Sequence, residues 1–333
     1  MQNILAVTLP FFALVVCGYL AAQRRVLPES AIPGLNAYVL FFALPCMLFR
    51  FGASKPLASL VDPMLIAIYL VCGLLVVSIT IGLTVRLKAG GPGVDLKNAS
   101  FGALVAAFPN SGFMGVPLLV ALMGESAAGP VIGTILVDIL ITSTLCIGLA
   151  QHQPRQPDSP QVSLGATAWR ALKGPLINPL PWAIGLGALW GSTRLPMPSP
   201  VSQVIAMMAD SASPVALFTI GAVLWRSGQH LHSRTPVNHY LPVALIKLLV
   251  HPALVWGVGA IAVTLNAPVS PQGLTVLVLA AALPSASNVS LLAERYGADN
   301  GRVARIIMAS TILAFGTFTL LAWALGVVAK AAG

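Results

Sequence analysis

The sequence predicts an all-α polytopic membrane protein of ten transmembrane helices, arranged as two inverted repeats of five. Three observations lead to this fold class. Apolar residues make up 57% of the 333 residues, charged residues make up 8%, and the mean hydropathy is +0.89. The chain also contains ten apolar runs, and its two halves share short motifs in the same order. Soluble domains contain about 25% charged residues, so the composition excludes a water-soluble fold.

The apolar runs account for most of the chain. A helix needs about 20 apolar residues to cross a bilayer, so ten spans use about 200 residues and leave room only for short connections. The longest polar connection follows the fifth run, which predicts a first repeat at 1–150, a short cytoplasmic linker at 151–173 and a second repeat at 174–333. The runs lie near residues 3–22, 33–51, 62–86, 100–122, 129–150, 175–191, 203–226, 237–264, 272–293 and 303–328.

The distribution of basic residues predicts the orientation of the spans. Of the 18 Lys and Arg residues, 13 fall in the odd-numbered connections and only four in the even-numbered connections or the terminal segments. These four are Arg50, Lys55, Arg194 and Lys330. Because cytoplasmic connections are enriched in Lys and Arg, we expect both termini outside the cytoplasmic (inner) membrane. The net charge of +9 is spread over these connections and does not indicate a nucleic-acid partner.

Short motifs recur between the two halves of the chain. Residues 45–52 (PCMLFRFG) match residues 214–221 (PVALFTIG) at identical spacing. The tripeptide LPF of the first run corresponds to LPW of the sixth, and PNS of the fourth run to PSASN of the ninth. The offsets between paired motifs are 169, 171 and about 175 residues. Since five is an odd number of spans, the second copy must insert upside down, as in inverted-repeat transporters.

The centres of the fourth and ninth runs contain helix-breaking residues. Pro109 and Pro117 each remove a backbone hydrogen bond from the fourth run, and Pro284 removes one from the ninth. Unpaired backbone at the bilayer centre is tolerated only where it faces protein or a water-filled cavity. One interpretation is a proline kink stabilised by Ser and Asn side chains. The matched depth of the two breaks favours the other interpretation, a transport site.

The breaks predict a binding site for an anion. A broken helix presents free N–H groups and a charge of roughly +0.5 at its new N-terminus. Neighbouring Asn and Ser side chains can cap these ends or bind a carboxylate directly. We expect no Lys or Arg near either break, so amides and helix dipoles would recognise the charge. The predicted substrate-binding residues are Pro109, Asn110, Ser111, Pro117, Pro284, Ser285, Ser287 and Asn288.

Three ionisable residues inside the runs are further candidates. Asp138 is the one carboxylate placed deep in a run, and an intramembrane carboxylate is a candidate for proton coupling. A structural hydrogen bond to Thr142, Ser143 or a neighbouring helix is the alternative. Lys247 and His251 are four residues apart and share a helix face. For Lys247 we favour snorkelling to the cytoplasmic surface; a lining for an anion path, together with His251, is the alternative.

These features predict a secondary transporter of small organic anions that works by alternating access. An anion channel or a membrane sensor is the alternative, although a continuous pore should carry polar residues along several helices. An intramembrane enzyme is not expected, because the sequence has neither two buried Asp for an aspartyl protease nor a His-Glu-x-x-His motif. We also expect no metal and no cofactor, since metal-ligand spacings and phosphate-binding loops are absent from the sequence.

Four motifs in order resemble the auxin efflux carrier family in its bacterial branch, which includes carriers of malonate and other organic acids. They are residues 36–45 (NAYVLFFALP), 110–117 (NSGFMGVP), 247–252 (KLLVHP) and 283–297 (LPSASNVSLLAERYG). The resemblance covers the whole chain. It implies ten helices folded as in bile-acid symporters and sodium/proton antiporters, with a scaffold domain, an elevator-like transport domain in which broken helices four and nine cross, and a homodimer. It also implies a carboxylate substrate such as malonate or an auxin-like acid.

Overall fold

A computed structural model describes residues 2–54, 62–86, 94–151, 176–229 and 235–327. Within these ranges the ordered structure is almost entirely helical, and the extended backbone pairing is an isolated bridge between Pro109 and Ser285. Seven of the described helices are long and apolar enough to cross a membrane. The predicted multi-pass membrane protein is therefore confirmed. The predicted linker at 151–173 lies, beyond its first residue, outside the described residues.

The described ranges contain twelve helices, which we number in chain order. Those long enough to span are α1, α2, α3, α6, α8, α9 and α12. The helices are α1 (Gln2–Gln23), α2 (Glu29–Ser54), α3 (Pro63–Arg86), α4 (Leu96–Ala107), α5 (Ser111–Met123), α6 (Glu125–Gln151), α7 (Pro179–Thr193), α8 (Ser199–Gln229), α9 (Leu241–Thr264), α10 (Pro271–Ala281), α11 (Val289–Arg295) and α12 (Asn300–Ala324).

Three helices continue through a proline because a wider, π-helical turn precedes it. Proline cannot donate a backbone hydrogen bond, and its ring clashes with the carbonyl four residues earlier. In α2, α5 and α9 a π-helical turn ends two residues before Pro45, Pro117 and Pro252, respectively. The extra residue in such a turn re-routes the backbone hydrogen bonds around the ring. The helix therefore continues through Pro117, and the break in the fourth run is shorter than predicted and ends at Asn110.

Two groups of helices pack around the paired breaks. In the first group, α1 packs against α8 and α2 packs against α7. In the second group, α3 packs against α4 and α9, α4 packs against α6, and α9 packs against α10. The main apolar core draws on both groups, for example through Leu48, Leu217, Phe113 and Leu283. The breaks therefore lie in the centre of the bundle.

Glycines allow the helix pairs of the first group to approach closely. A Cβ atom on Gly18 of α1 would overlap a carbonyl oxygen of α8, and one on Gly221 of α8 would overlap a carbonyl oxygen of α1. Gly52 of α2 and Gly187 of α7 face each other's helix backbone in the same way. Without a hydrophobic effect between lipid-embedded helices, such close backbone packing is a main source of their association.

We expect Gly221→Ala to destabilise the first helix group. The added methyl has no space against the α1 backbone, and overpacking of this kind costs about 1–3 kcal/mol. Gly185→Ala in α7 is the matched control, because a Cβ there meets no atom within 4 Å. Thermal unfolding of the detergent-purified variants checks the prediction. Equal melting temperatures for the two variants would contradict it.

Arg302 joins three segments at one end of the second group. The side chain is buried; its Nε donates to the carbonyl of His239 at 2.9 Å and its Nη1 to the carbonyl of Asn98 at 2.8 Å. Gly102 leaves the space for the guanidinium, since a Cβ there would lie 2.8 Å from Nη1. We assigned Arg302 to a connection from sequence; the structure shows that it ties the start of α12 to α4 and to the segment before α9.

Candidate functional site

The break between α4 and α5 lies beside the break between α10 and α11. The backbone N–H of Asn110 donates to the carbonyl of Pro284 at 2.8 Å. In return, the N–H of Ala286 donates to the carbonyl of Phe108 at 3.0 Å. Each break satisfies backbone groups that the other leaves unpaired, which is how non-helical chain is tolerated at membrane depth.

Polar side chains from both breaks line one small cavity. They are Asn110, Ser287 and Asn288, of which Asn110 and Ser287 are buried. The amide oxygen of Asn288 is buried and has no hydrogen-bond partner in the described chain. The side chain of Asn110 likewise forms no hydrogen bond with a described residue. Buried polar groups are normally paired, so these amides are available to water or to a ligand.

The cavity is narrow in this structure. Its volume is about 20 Å³, and about 10–15 Å³ is enough for a single water molecule. Apolar side chains from both helix groups also line it, including Leu40 of α2, Leu180 of α7 and Ile139 of α6. An organic acid is larger than one water, so the cavity must widen before such a ligand can enter.

The predicted prolines have three different positions. Pro109 forms part of the cavity wall. Pro284 supplies the carbonyl that accepts the Asn110 N–H. Pro117 lies inside α5, beyond the π-helical turn, and does not line the cavity. Only the first two prolines therefore shape the breaks directly.

Ser111 and Ser285, the other two serines of the predicted site, form hydrogen bonds with neighbouring helices that the sequence did not reveal. The hydroxyl of Ser111 accepts a hydrogen bond from Thr134 of α6 at 3.2 Å. The backbone N–H of Ser285 donates to the hydroxyl of Ser310 of α12 at 3.1 Å, whereas its own buried hydroxyl has no partner in the described chain. Neither serine lines the cavity. They anchor the breaks to neighbouring helices.

A second polar cluster lies inside the second helix group, with four side chains that are at most 1% exposed. Tyr69 donates to the carboxyl group of Asp138 at 2.9 Å. The amine of Lys247 lies 3.2 Å from Nδ1 of His251, whose ring lies 5.6 Å from that of Tyr69. The tyrosine and imidazole rings connect Asp138 to Lys247, and these two residues form no direct ion pair in the described chain. One network from α3, α6 and α9 thus contains a buried carboxyl and a buried amino group.

The neighbours of Asp138 include one predicted and one unpredicted partner. Thr142 donates to its carboxyl group at 3.3 Å, as the structural alternative predicted, whereas Ser143 donates to its backbone carbonyl at 2.8 Å. Tyr69 was missed by the sequence analysis. It carries no charge and lies in an apolar run, so the sequence offers no sign of its contact with a carboxyl group 69 positions away.

Lys247 does not snorkel, so the favoured prediction for this residue was wrong. Its side chain is completely buried, and its amine donates to the carbonyl of Ala281 at 2.6 Å. Ala281 is the last residue of α10, so the amine lies at the negative end of that half-helix. The expectation that no Lys lies near a break was wrong for the same reason. Neither Lys247 nor His251 lines the cavity between the breaks.

A narrow crevice extends from the start of α3 to this second cluster. Asp62 lies at one end and Tyr69 at the other, and Gly129 and Gly133 of α6 line the wall between them. The crevice has a volume of about 10 Å³, close to the space that one water needs. Its lining includes Tyr69, whose hydroxyl donates to the carboxyl group of Asp138, so the crevice adjoins the second cluster.

A multi-pass helical bundle with two broken helices paired at a buried polar cavity is the architecture of a membrane transport protein. The comparison with known families agrees: this chain belongs to the family described as "Membrane transport protein", whose model matches residues 4–323. The resemblance to the bacterial branch of the auxin efflux carriers is therefore confirmed.

Relatives of known sequence place the chain within this family. It is 28% identical over 323 residues to a putative malonate transporter of Rhizobium meliloti (strain 1021), covering 96% of this chain and 95% of the relative. It is 22% identical over 297 residues to auxin efflux carrier component 8 of Arabidopsis thaliana, covering 76% and 79%. An uncharacterized transporter of Methanothermobacter thermautotrophicus is 24% identical over 314 residues. The named relatives are transporters rather than enzymes.

Proposed function

We propose that the protein is a secondary transporter of small organic anions, which holds a substrate carboxylate between Asn110 and Asn288. The observation that carries this proposal is the cavity at the paired breaks, where both amides lack protein partners in the described chain. Amide N–H groups donate to carboxylates, and a site that uses amides avoids the cost of burying a basic side chain against the substrate.

The substrate class follows from chemistry and from the relatives. One relative is named for malonate and another for auxin, both of which are carboxylic acids. The cavity contains amide and hydroxyl groups from both breaks beside apolar side chains such as Leu40 and Ile139. We propose a small carboxylate, with malonate as the first compound to test.

The architecture that we propose is a 5+5 inverted repeat with ten spans. If α4–α5 and α10–α11 each count as one broken span, the described helices make ten. The reciprocal hydrogen bonds between the breaks support the repeat, as do Gly52 and Gly221, which occupy equivalent positions in the sequence motifs and both pack against a neighbouring helix backbone. The repeats would comprise residues 1–150 and 174–333.

Alternating access would arise from movement between the two helix groups. The narrow cavity has walls from both groups, so a shift of one group against the other would widen it. We propose that α1, α2, α7 and α8 form the scaffold and that the second group, which carries both breaks, moves as an elevator. A homodimer is part of the proposal, and the mass of the purified protein in detergent tests it.

Asp138 is the proposed proton-coupling residue, with Lys247 as its buried counter-charge. Uptake of one proton from water would neutralise the Asp138 carboxylate and its release would restore the charge, which a protonated Lys247 in the same buried network would offset. The crevice from Asp62 to Tyr69 would supply water from one side of the membrane. Lys247 also binds the end of α10 next to the break, which would link this network to substrate binding.

The proposed orientation places both termini outside the cytoplasmic membrane. The charge bias of the connections supports it. Single cysteines at positions 159 and 333, in a cysteine-free background, should then react with impermeant reagents from opposite sides. Labelling of both from the same side would contradict the orientation.

Uptake into proteoliposomes tests the proposed function. A carrier should take up radiolabelled malonate saturably and should show counterflow, in which unlabelled malonate inside drives accumulation of the label. An anion channel would conduct without saturation at low concentration and would show no counterflow, and a sensor would show neither. Absence of counterflow with a panel of mono- and dicarboxylates would refute the carrier proposal.

A further inference from the structure

A larger cavity lies at one end of the first helix group, away from the paired breaks. It has a volume of about 370 Å³ and opens between the last turns of α2 and α7 and the first turns of α8. Its polar lining includes the guanidinium groups of Arg50 and Arg194, with Trp190 beside them and Ser202 on the facing helix. Nothing in the proposed transport mechanism uses this cavity.

The cavity carries excess positive charge. Arg50 donates through Nη1 to the carboxylate of Asp210 at 2.7 Å. The guanidinium of Arg194 has neither a hydrogen-bond nor an ion-pair partner among the residues that the structure describes. Asp210 thus pairs with Arg50 alone, and Arg50 keeps further N–H donors. Basic residues do stabilise the negative ends of helices such as α2 and α7, but that role requires no cavity between them.

The same two arginines are exceptions to the charge distribution of the whole chain. They belong to the four basic residues that fall in the even-numbered connections or the terminal segments. The fold brings both of them to one cavity although they are 144 positions apart in the sequence. In the proposed orientation both arginines lie on the outer side, where the positive-inside rule predicts few basic residues. A ligand that binds their charge therefore explains the pair better than membrane orientation does.

We propose that this cavity binds the phosphate headgroup of an anionic phospholipid. A guanidinium group forms bidentate hydrogen bonds with phosphate oxygens, so two arginines that line one cavity supply donors for one phosphate group. Trp190 lies at the end of a helix, where indole rings favour the headgroup region. Exposed apolar side chains, Leu189 of α7 and Val204 of α8, adjoin the lining residues in sequence and offer a surface to the acyl chains.

Native mass spectrometry and thermal unfolding of the purified full-length protein test this proposal. We compare phosphatidylglycerol with phosphatidylcholine of the same acyl chains. Phosphatidylglycerol should give more adducts and a larger rise in melting temperature for the wild type. Arg50→Gln/Arg194→Gln should weaken its binding about tenfold or more, because two charge-assisted contacts are lost. Arg24→Gln, which removes an exposed arginine at the end of α1, is the matched control.

A second variant separates the cavity from its charge. Ala206→Trp fills the cavity and leaves both arginines in place, so it should also reduce phosphatidylglycerol adducts while malonate counterflow persists. Wild-type selectivity for phosphatidylglycerol in both variants would overturn the proposal. So would stabilisation by soluble malonate or inorganic phosphate that depends on the two arginines, because the cavity would then bind free anions rather than a lipid.

Discussion

Replacing Lys247 by methionine is expected to destabilise the protein strongly and to abolish transport. Methionine fills a similar space but leaves Asp138 without its buried counter-charge and Ala281 without the donor to its carbonyl. A buried carbonyl left without its donor costs about 1–3 kcal/mol, and the loss of a positive charge near the Asp138 carboxyl group adds to this, so the melting temperature of the purified variant should fall markedly. Lys97→Met, which removes a partly exposed lysine at the start of α4, is the matched control.

The double variant Asp138→Asn/Lys247→Met distinguishes a charge pair from a purely steric role. It removes both charges but does not restore the donor to Ala281, so it should recover part of the stability lost in Lys247→Met. Asp138→Asn alone should abolish uptake driven by a pH gradient while sparing malonate exchange. If the double variant is as unstable as Lys247→Met, the two residues are not a functional pair. If Asp138→Asn responds fully to a pH gradient, this carboxyl group does not couple protons.

Asn110→Ala and Asn288→Ala should each weaken substrate binding about tenfold or more. A hydrogen bond to a charged group is worth about 1.5–3 kcal/mol, and each variant removes an amide that has no other partner in the described chain. Folding should be unaffected, because neither side-chain amide stabilises a neighbouring element. Malonate-dependent shifts of the melting temperature measure the apparent dissociation constants.

Two comparisons make the asparagine experiment specific. Asn266→Gly removes an exposed asparagine from the connection between α9 and α10, where the positive φ of 59° suits glycine, and should leave affinity unchanged. Asn110→Asp keeps the shape of the side chain but places a negative charge beside the substrate, so it should reduce affinity more than alanine does. Wild-type affinity in the double variant Asn110→Ala/Asn288→Ala would contradict the proposed site.

The membrane class and the two breaks were accessible from sequence because they depend on local chemistry. Proline lacks an N–H in any context, so Pro109 and Pro284 each remove a backbone hydrogen bond from their run, and the polar residues beside them mark these two runs as broken. The extent of the first break could not be predicted, because the conformation of the turn before Pro117 decides whether the helix continues through that residue. A π-helical turn keeps that helix continuous, and the sequence does not distinguish such a turn from a kink.

The direction of buried polar side chains could not be predicted. A long lysine about two turns inside a span can reach the membrane surface or turn inward, and its partners decide between these outcomes. For Lys247 they are the Ala281 carbonyl and the Asp138 network, which come from other helices. Tyr69 was missed for the same reason. Arg50 and Arg194 each look like ordinary interfacial residues until the fold places them in one cavity.

The central claim is that the substrate carboxylate binds at the paired breaks, and a structure determined with malonate bound tests it most directly. The account predicts a carboxylate oxygen within hydrogen-bond distance, about 3 Å, of the side-chain amides of Asn110 and Asn288, in a cavity widened by movement between the two helix groups. Malonate density too far from both amides for a direct or a water-bridged hydrogen bond would contradict the claim.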